Sequence, residues 1–97
     1  KDMKHNEEDE IEKLLGELTH WSLTPDSKKI FREYTFTDFV GSIHFVNQVA
    51  DVAEVEGHHP DIHIFYNKVL IELWTHSVGG LTENDFIVAA KIDAIWK

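Results

Sequence analysis

The chain has 97 residues and sets nine lysines and arginines against eighteen aspartates and glutamates, a formal charge of −9. That balance argues against direct nucleic-acid binding, which needs a basic stripe to neutralise phosphates, and against attraction to an anionic membrane surface. With no cysteine there is no disulfide framework, zinc ribbon or thiol nucleophile, and 42% hydrophobic with 11% aromatic residues is the composition of a folded chain.

A chain this short holds one core, so a single domain over residues 1–97 is expected, with 1–9 as a loose leading segment. The longest unbroken apolar run is five residues, Phe86–Ala90, far below the ~20 that span a bilayer. The first ten residues, KDMKHNEEDE, contain no signal-peptide hydrophobic region, so a cytoplasmic location is expected.

In chain order, Ile11, Leu14, Leu15 and Leu18 form a helical stripe behind the acidic run Glu7–Glu10, which suits a helix N-terminus. Trp21 to Thr24 predicts a short strand, Pro25-Asp26-Ser27 a turn, and Lys29 to Phe36 a second strand, the two forming a hairpin. Thr37-Asp38 offers an N-cap to a helix whose apolar positions are Phe39, Ile43, Val46, Ala50 and Ala53. Gly57 sits at its C′ position and Pro60 forbids continuation. Ile62–Tyr66 and Val69–Thr75 predict two strands turning at Asn67-Lys68, and Gly79-Gly80 a loop. Thr82 and Asp85 resemble a capping box for a last helix that places Val88, Ala89, Ile92, Ile95 and Trp96 on one side. The order α-β-β-α-β-β-α predicts an α+β fold, a four-stranded antiparallel sheet with three helices packed on one face.

Seven histidines is a high count for this length, and four of them lie between positions 58 and 76. A symmetric turn at Asn67-Lys68 would put Ile62, Ile64 and Tyr66 on an apolar face with Val69, Ile71, Leu73 and Thr75. The opposite face would pair His63 with Glu72 and bring His59 opposite His76. His58, His59 and His76 then gather beside a helix C-terminus. Imidazoles titrate near neutral pH, so such a group can hold a base and an acid together. No nucleophile elbow is present, which favours non-covalent proton transfer. Two other readings stand beside it. His59, Asp61, His63 and His76 are possible zinc ligands, although the proline breaks any helical i, i+4 geometry. Surface histidines of an acidic chain also pair with carboxylates without further purpose, the simplest account of His5, His20 and His44.

The spacing Glu54-x3-His58-His59-Pro60-x5-Tyr66-x9-His76-x8-Asp85 resembles the signature of the pterin-4a-carbinolamine dehydratases. The likeness extends through Trp21, the segment IFREYTFTDF, Tyr66-Asn67-Lys68-Val69 and Gly80-Leu81-Thr82, from about residue 10 to 96. The resemblance implies the same α-β-β-α-β-β-α fold, assembled as a homodimer or homotetramer. It implies dehydration of 4a-hydroxytetrahydropterin to quinonoid dihydropterin and water, in tetrahydrobiopterin recycling, with no metal and no organic cofactor. Carried over by position, His58 and His76 become the acid–base pair and His59 the residue that orients the pterin. Glu54 is expected to orient His58. Gly57, Trp74, Thr75, Ser77, Trp21 and Asp85 are expected to frame the substrate, although capping alone would account for Asp85 and packing for Trp21. Many members carry an acidic residue where this chain has Gly57, and a small one where it has Trp74. Animal members also bind a homeodomain transcription factor, so a protein-interaction module acting as a dimerisation cofactor or coactivator is the alternative function.

Overall fold

A computed structural model describes residues 8–96. The elements run α1 (Glu8–Gly16), β1 (Ser22–Leu23), β2 (Ile30–Thr35), α2 (Phe39–Glu56), β3 (Asp61–Phe65), β4 (Lys68–Leu73) and α3 (Glu83–Ile95). All pairings are antiparallel and the sheet order is β1-β2-β4-β3, so α2 carries the chain from β2 across to the far edge. The expected α+β order is present in full. α1 takes in Glu8 and Asp9, which the sequence reading put in the loose leading segment; residues 1–7 of that segment lie outside the described residues. Among the described residues no helix is long and apolar enough to cross a membrane.

Capping chemistry fixes both ends of α2 and the start of α3. Asp38 adopts an extended backbone and its carboxylate accepts from the Gly41 N–H at 2.8 Å, opening α2. Gly57 closes α2 at φ +66°, and its N–H donates to the Ala53 carbonyl. At the start of α3 the Asp85 carboxylate reaches back to the Thr82 N–H at 3.0 Å.

Ile30, Tyr34, Val69, Ile71 and Leu73 alternate onto one sheet face and are buried beneath the helices with Ile11, Phe45, Val49, Val88, Ala89 and Ile92. The line that α2 buries is Ser42, Phe45, Val49 and Ala53, rotated from the expected stripe. Phe39 and Ala50 face solvent, while Ile43 and Val46 are half-buried. The ring of Phe45, buried where that of Phe39 is exposed, anchors this phase. Phe45 lies 4.7 Å from Tyr34, 5.1 Å from Phe36 and 6.0 Å from Trp96 between ring centroids.

A polar clamp crosses the same layer. Asp93 on α3 accepts from Trp21 Nε1 at 3.1 Å, Arg32 Nη1 at 2.8 Å and the Tyr34 hydroxyl at 2.7 Å. Burial, and next the bond to Asp93, push the Tyr34 phenol well above its usual range.

The β3–β4 hairpin turns one residue earlier than its sequence predicts. Phe65 pairs with Lys68, His63 with Leu70 and Asp61 with Glu72, so Tyr66 and Asn67 make the turn. Tyr66 takes φ +52° and is exposed, which overturns its expected place on the apolar face. Asn67 is held elsewhere: its Nδ2 donates to the Phe36 carbonyl at 3.0 Å and its own carbonyl accepts from Phe36 N–H at 2.7 Å. The pairing shifts by two residues, so the side chains that remain in β3 and β4 keep their expected face while their cross-strand partners change.

Candidate active site

Three short segments meet at one corner of the helix–sheet sandwich: the end of α2 with the residues that follow it, the turn after β4, and the first turn of α3. Gly57 in the left-handed conformation swings the chain off α2 and sets His58 against the start of α3. There the His58 Nε2–H donates to Asp85 Oδ1 at 2.6 Å. The His58 side chain is 12% exposed and that of Asp85 not at all. Asp85 Oδ2 accepts from the Thr75 hydroxyl at 2.9 Å and from Thr82 N–H. With the Thr75 hydrogen committed to Asp85, the Thr82 hydroxyl donates to Thr75 Oγ1 at 2.8 Å. The carboxylate is therefore fully engaged in a dry environment, where an unmet polar group is costly.

Thr75 is also the anchor of the following turn. Its N–H donates to the Gly80 carbonyl at 2.8 Å, and its own carbonyl accepts from Gly79 N–H at 3.0 Å, where Gly79 adopts φ +66°. This pins the backbone on which His76 and Ser77 stand exposed. The ring of His76 lies on that of Trp74, with centroids 4.0 Å apart and planes at 32°. The Trp74 Nε1–H donates to Asp61 Oδ2 at 3.2 Å.

His59, next to His58, turns outward. Its Nε2–H donates to Glu54 Oε2 at 2.7 Å, the two side chains being 60% and 78% exposed. Glu54 thus holds His59 and not His58, whose partner is Asp85, as the sequence reading did not foresee. An exposed pair of this kind is worth at most about 1 kcal/mol, so His59 is held loosely. His59 does not stand opposite His76 on a ladder, since the observed register, extended outward, would put Trp74 at that position. His63 reaches diagonally to Glu72 Oε1 at 3.1 Å, an exposed pair outside the group.

The remaining expected residues divide. Thr75 is buried and spent on Asp85, so it supports the site from beneath. Trp21 is buried with both its recorded polar bonds on Asp93, about 12 Å along α3 from Asp85, and its edge packs on Tyr34. It belongs to the core clamp. Thr82 and Asp61 went unnoticed as supports, although Trp74 and His76 at i, i+2 already share a face in an extended chain. Among the described residues no three His, Asp or Glu side chains converge as a metal-ligand set. A cavity of about 550 Å³ opens elsewhere, over Phe36, Phe45 and Trp96 beside His44, near the opposite end of α2 from His58.

An antiparallel sheet backed by three helices, with His58 bound to a buried carboxylate where the end of α2 meets the start of α3, defines an α+β domain with a histidine-bearing corner. The family model for pterin 4 alpha carbinolamine dehydratase matches residues 4–95, and the chain belongs to that family of enzymes. A mitochondrial pterin-4-alpha-carbinolamine dehydratase of Arabidopsis thaliana is 45% identical over 98 residues, covering 98% of this chain and 52% of that protein. A Rickettsia bellii protein provisionally given the same name is 46% identical over 89 residues, covering 92% of this chain and 79% of its own. The crystal structure of a transcriptional coactivator/pterin dehydratase from Brucella melitensis superposes with a TM-score of 0.92 at 35% identity, over 97% of this chain and 100% of that one. A pterin dehydratase-like protein identified as a RuBisCO assembly factor in the alpha-carboxysome has the same fold, with a TM-score of 0.68 at 24% identity over 79% of this chain and 89% of that one.

Proposed function

We propose that the chain dehydrates a 4a-hydroxytetrahydropterin to quinonoid dihydropterin and water by histidine acid–base catalysis, as a step of pterin cofactor recycling. One observation supports the reading: His58 and Asp85 of the family signature, 27 positions apart, are hydrogen-bonded, and Asp85 also holds Thr75, so the chain neighbours His59 and His76 flank the same bonded group. The elimination removes a ring N–H proton, forms the new double bond, and breaks the C4a–O bond with its electron pair leaving on oxygen. A base takes the first proton and an acid delivers one to the departing oxygen, which leaves as water.

Burial divides the roles. His58, tied to wholly buried Asp85, is a fixed group that shapes the site. His59 and His76 face solvent and are the proton-transfer pair, with Gly57, Ser77 and the backbone beside them framing the pterin. Glu54 steadies His59. In this reading the acid–base role that the family resemblance implies for His58 passes to His59.

The test is an optical assay of carbinolamine dehydration with the uncatalysed rate subtracted. His59→Ala and His76→Ala should each lower the catalysed rate by about a hundredfold or more. A folded parent that gives no acceleration would sink the dehydratase reading and leave the protein-interaction module. The chain is further proposed to act in the cytoplasm as a homodimer or homotetramer. Large exposed apolar side chains support assembly, Phe39, Val40 and Val55 on α2 and Phe65 on the β3 edge. Sedimentation as a stable monomer would rule that out.

A further inference from the structure

We propose that Trp74 is a positioning residue that holds the His76 imidazole by stacking, and that it is not a substrate contact. The inference rests on the proton-transfer role just given to His76, and it offers a different role from the pterin-framing one that the resemblance implies for Trp74.

The four histidines from position 58 to 76 are held in two different ways. His58, His59 and His63 each spend Nε2 on a carboxylate, those of Asp85, Glu54 and Glu72. Among the described residues no hydrogen bond or ion pair engages the His76 ring, and its partner is the indole of Trp74, 4.0 Å away at 32°. A carboxylate partner occupies one ring nitrogen. An aromatic face orients the ring and leaves both nitrogens open to exchange protons with a ligand. That is the condition a shuttling acid–base group needs.

The indole is itself built in. It follows directly on β4, whose last residue Leu73 is paired with Ile30. Its Nε1–H is fixed on Asp61 at the start of β3, and the Lys29 ammonium stands 5.2 Å from the ring centroid. The residue after it, Thr75, is locked to Gly80 and Asp85. A half-buried ring restrained from β3, from the segment before β2 and along its own strand is a rigid plate beneath an otherwise unrestrained imidazole.

The experiment compares the parent with Trp74→Leu, which keeps an apolar side chain and loses the ring, and Trp74→Phe, which keeps a stacking face. NMR of the free proteins reads the His76 ring protons, which an adjacent indole shifts upfield. Kinetics on 4a-hydroxytetrahydropterin reads kcat and KM, with His76→Ala alongside. The expected result is that Trp74→Leu abolishes the upfield shift and lowers kcat about tenfold with KM nearly unchanged, while Trp74→Phe restores most of both. Should Trp74→Leu fail to fold, Asp61→Ala frees the indole from its anchor and should give the same pattern with a smaller loss. A raised KM with kcat intact would make Trp74 a substrate contact and overturn the proposal, as would a His76 shift indifferent to Trp74. An active parent with a silent His76→Ala would overturn it too. An inactive parent would instead remove the reaction itself, and the NMR arm would still decide whether Trp74 holds His76.

Discussion

Asp85 accepts from His58, Thr75 and Thr82 while wholly buried, so each donor would lose its acceptor inside a dry site if the carboxylate were removed. Asp85→Ala should cost about 3 kcal/mol of stability, read from the urea midpoint, and should also lower turnover by releasing His58. Asp85→Asn keeps the shape but puts an amide N–H₂ where one oxygen accepted, so it should unfold less readily and still lose activity. A variant as stable and active as the parent would show that His58 needs no buried partner. At this scale the sequence was half legible. The Thr82 and Asp85 spacing announces the bond between them, because capping is local. The second oxygen of Asp85 was silent, since its use depends on where the end of α2 arrives.

Among the elements, α2 depends on the left-handed residue that ends it. A Cβ at Gly57 would meet nothing within 4 Å, so the cost of Gly57→Ala is backbone strain alone, about 1 kcal/mol in a thermal or urea melt. A penalty near zero would mean that the chain can leave α2 another way. Element types and most ends follow from caps, periodicity and turn residues, and the structure agrees with them. Two features did not follow. The phase of α2 was set by the large ring of Phe45 entering an aromatic group contributed by β2 and the end of α3. The hairpin register was set by Asn67 bonding to Phe36, a contact 31 residues away that no local turn rule contains. Sharing of faces survived the register change in the hairpin, because a slip of two preserves strand alternation.

Over the whole molecule, Asp93 joins α3 to β2 through Arg32 and Tyr34 and to the residue before β1 through Trp21. Asp93→Ala should therefore destabilise the fold by about 3 kcal/mol, visible as a lowered melting temperature, without touching the histidine corner. Tyr34 adds a pH dependence of definite sign. Its phenol is raised in the folded state by burial and by Asp93, so the native chain keeps that proton at a pH where the unfolded chain has released it. The contribution is complete below about pH 10 and is lost as pH rises beyond it, so stability must fall on the alkaline side. In an ultraviolet phenolate titration the parent should show one ionisation that coincides with unfolding, and Tyr34→Phe should lack it. An early, reversible ionisation of Tyr34 in the folded chain would contradict this.

Composition, caps and period were sufficient for the fold class and the element order, because each of these is encoded within a few neighbouring residues. The family signature marked Glu54, His58, His59, His76 and Asp85 as one group, but it could not say which touches which. Tertiary structure made those assignments. It gave His58 to Asp85, His59 to Glu54 and His76 to Trp74, and it withdrew Trp21 into the core. Partnership of this kind is a matter of distance between segments remote in sequence, and only packing of the helices on the sheet sets that distance.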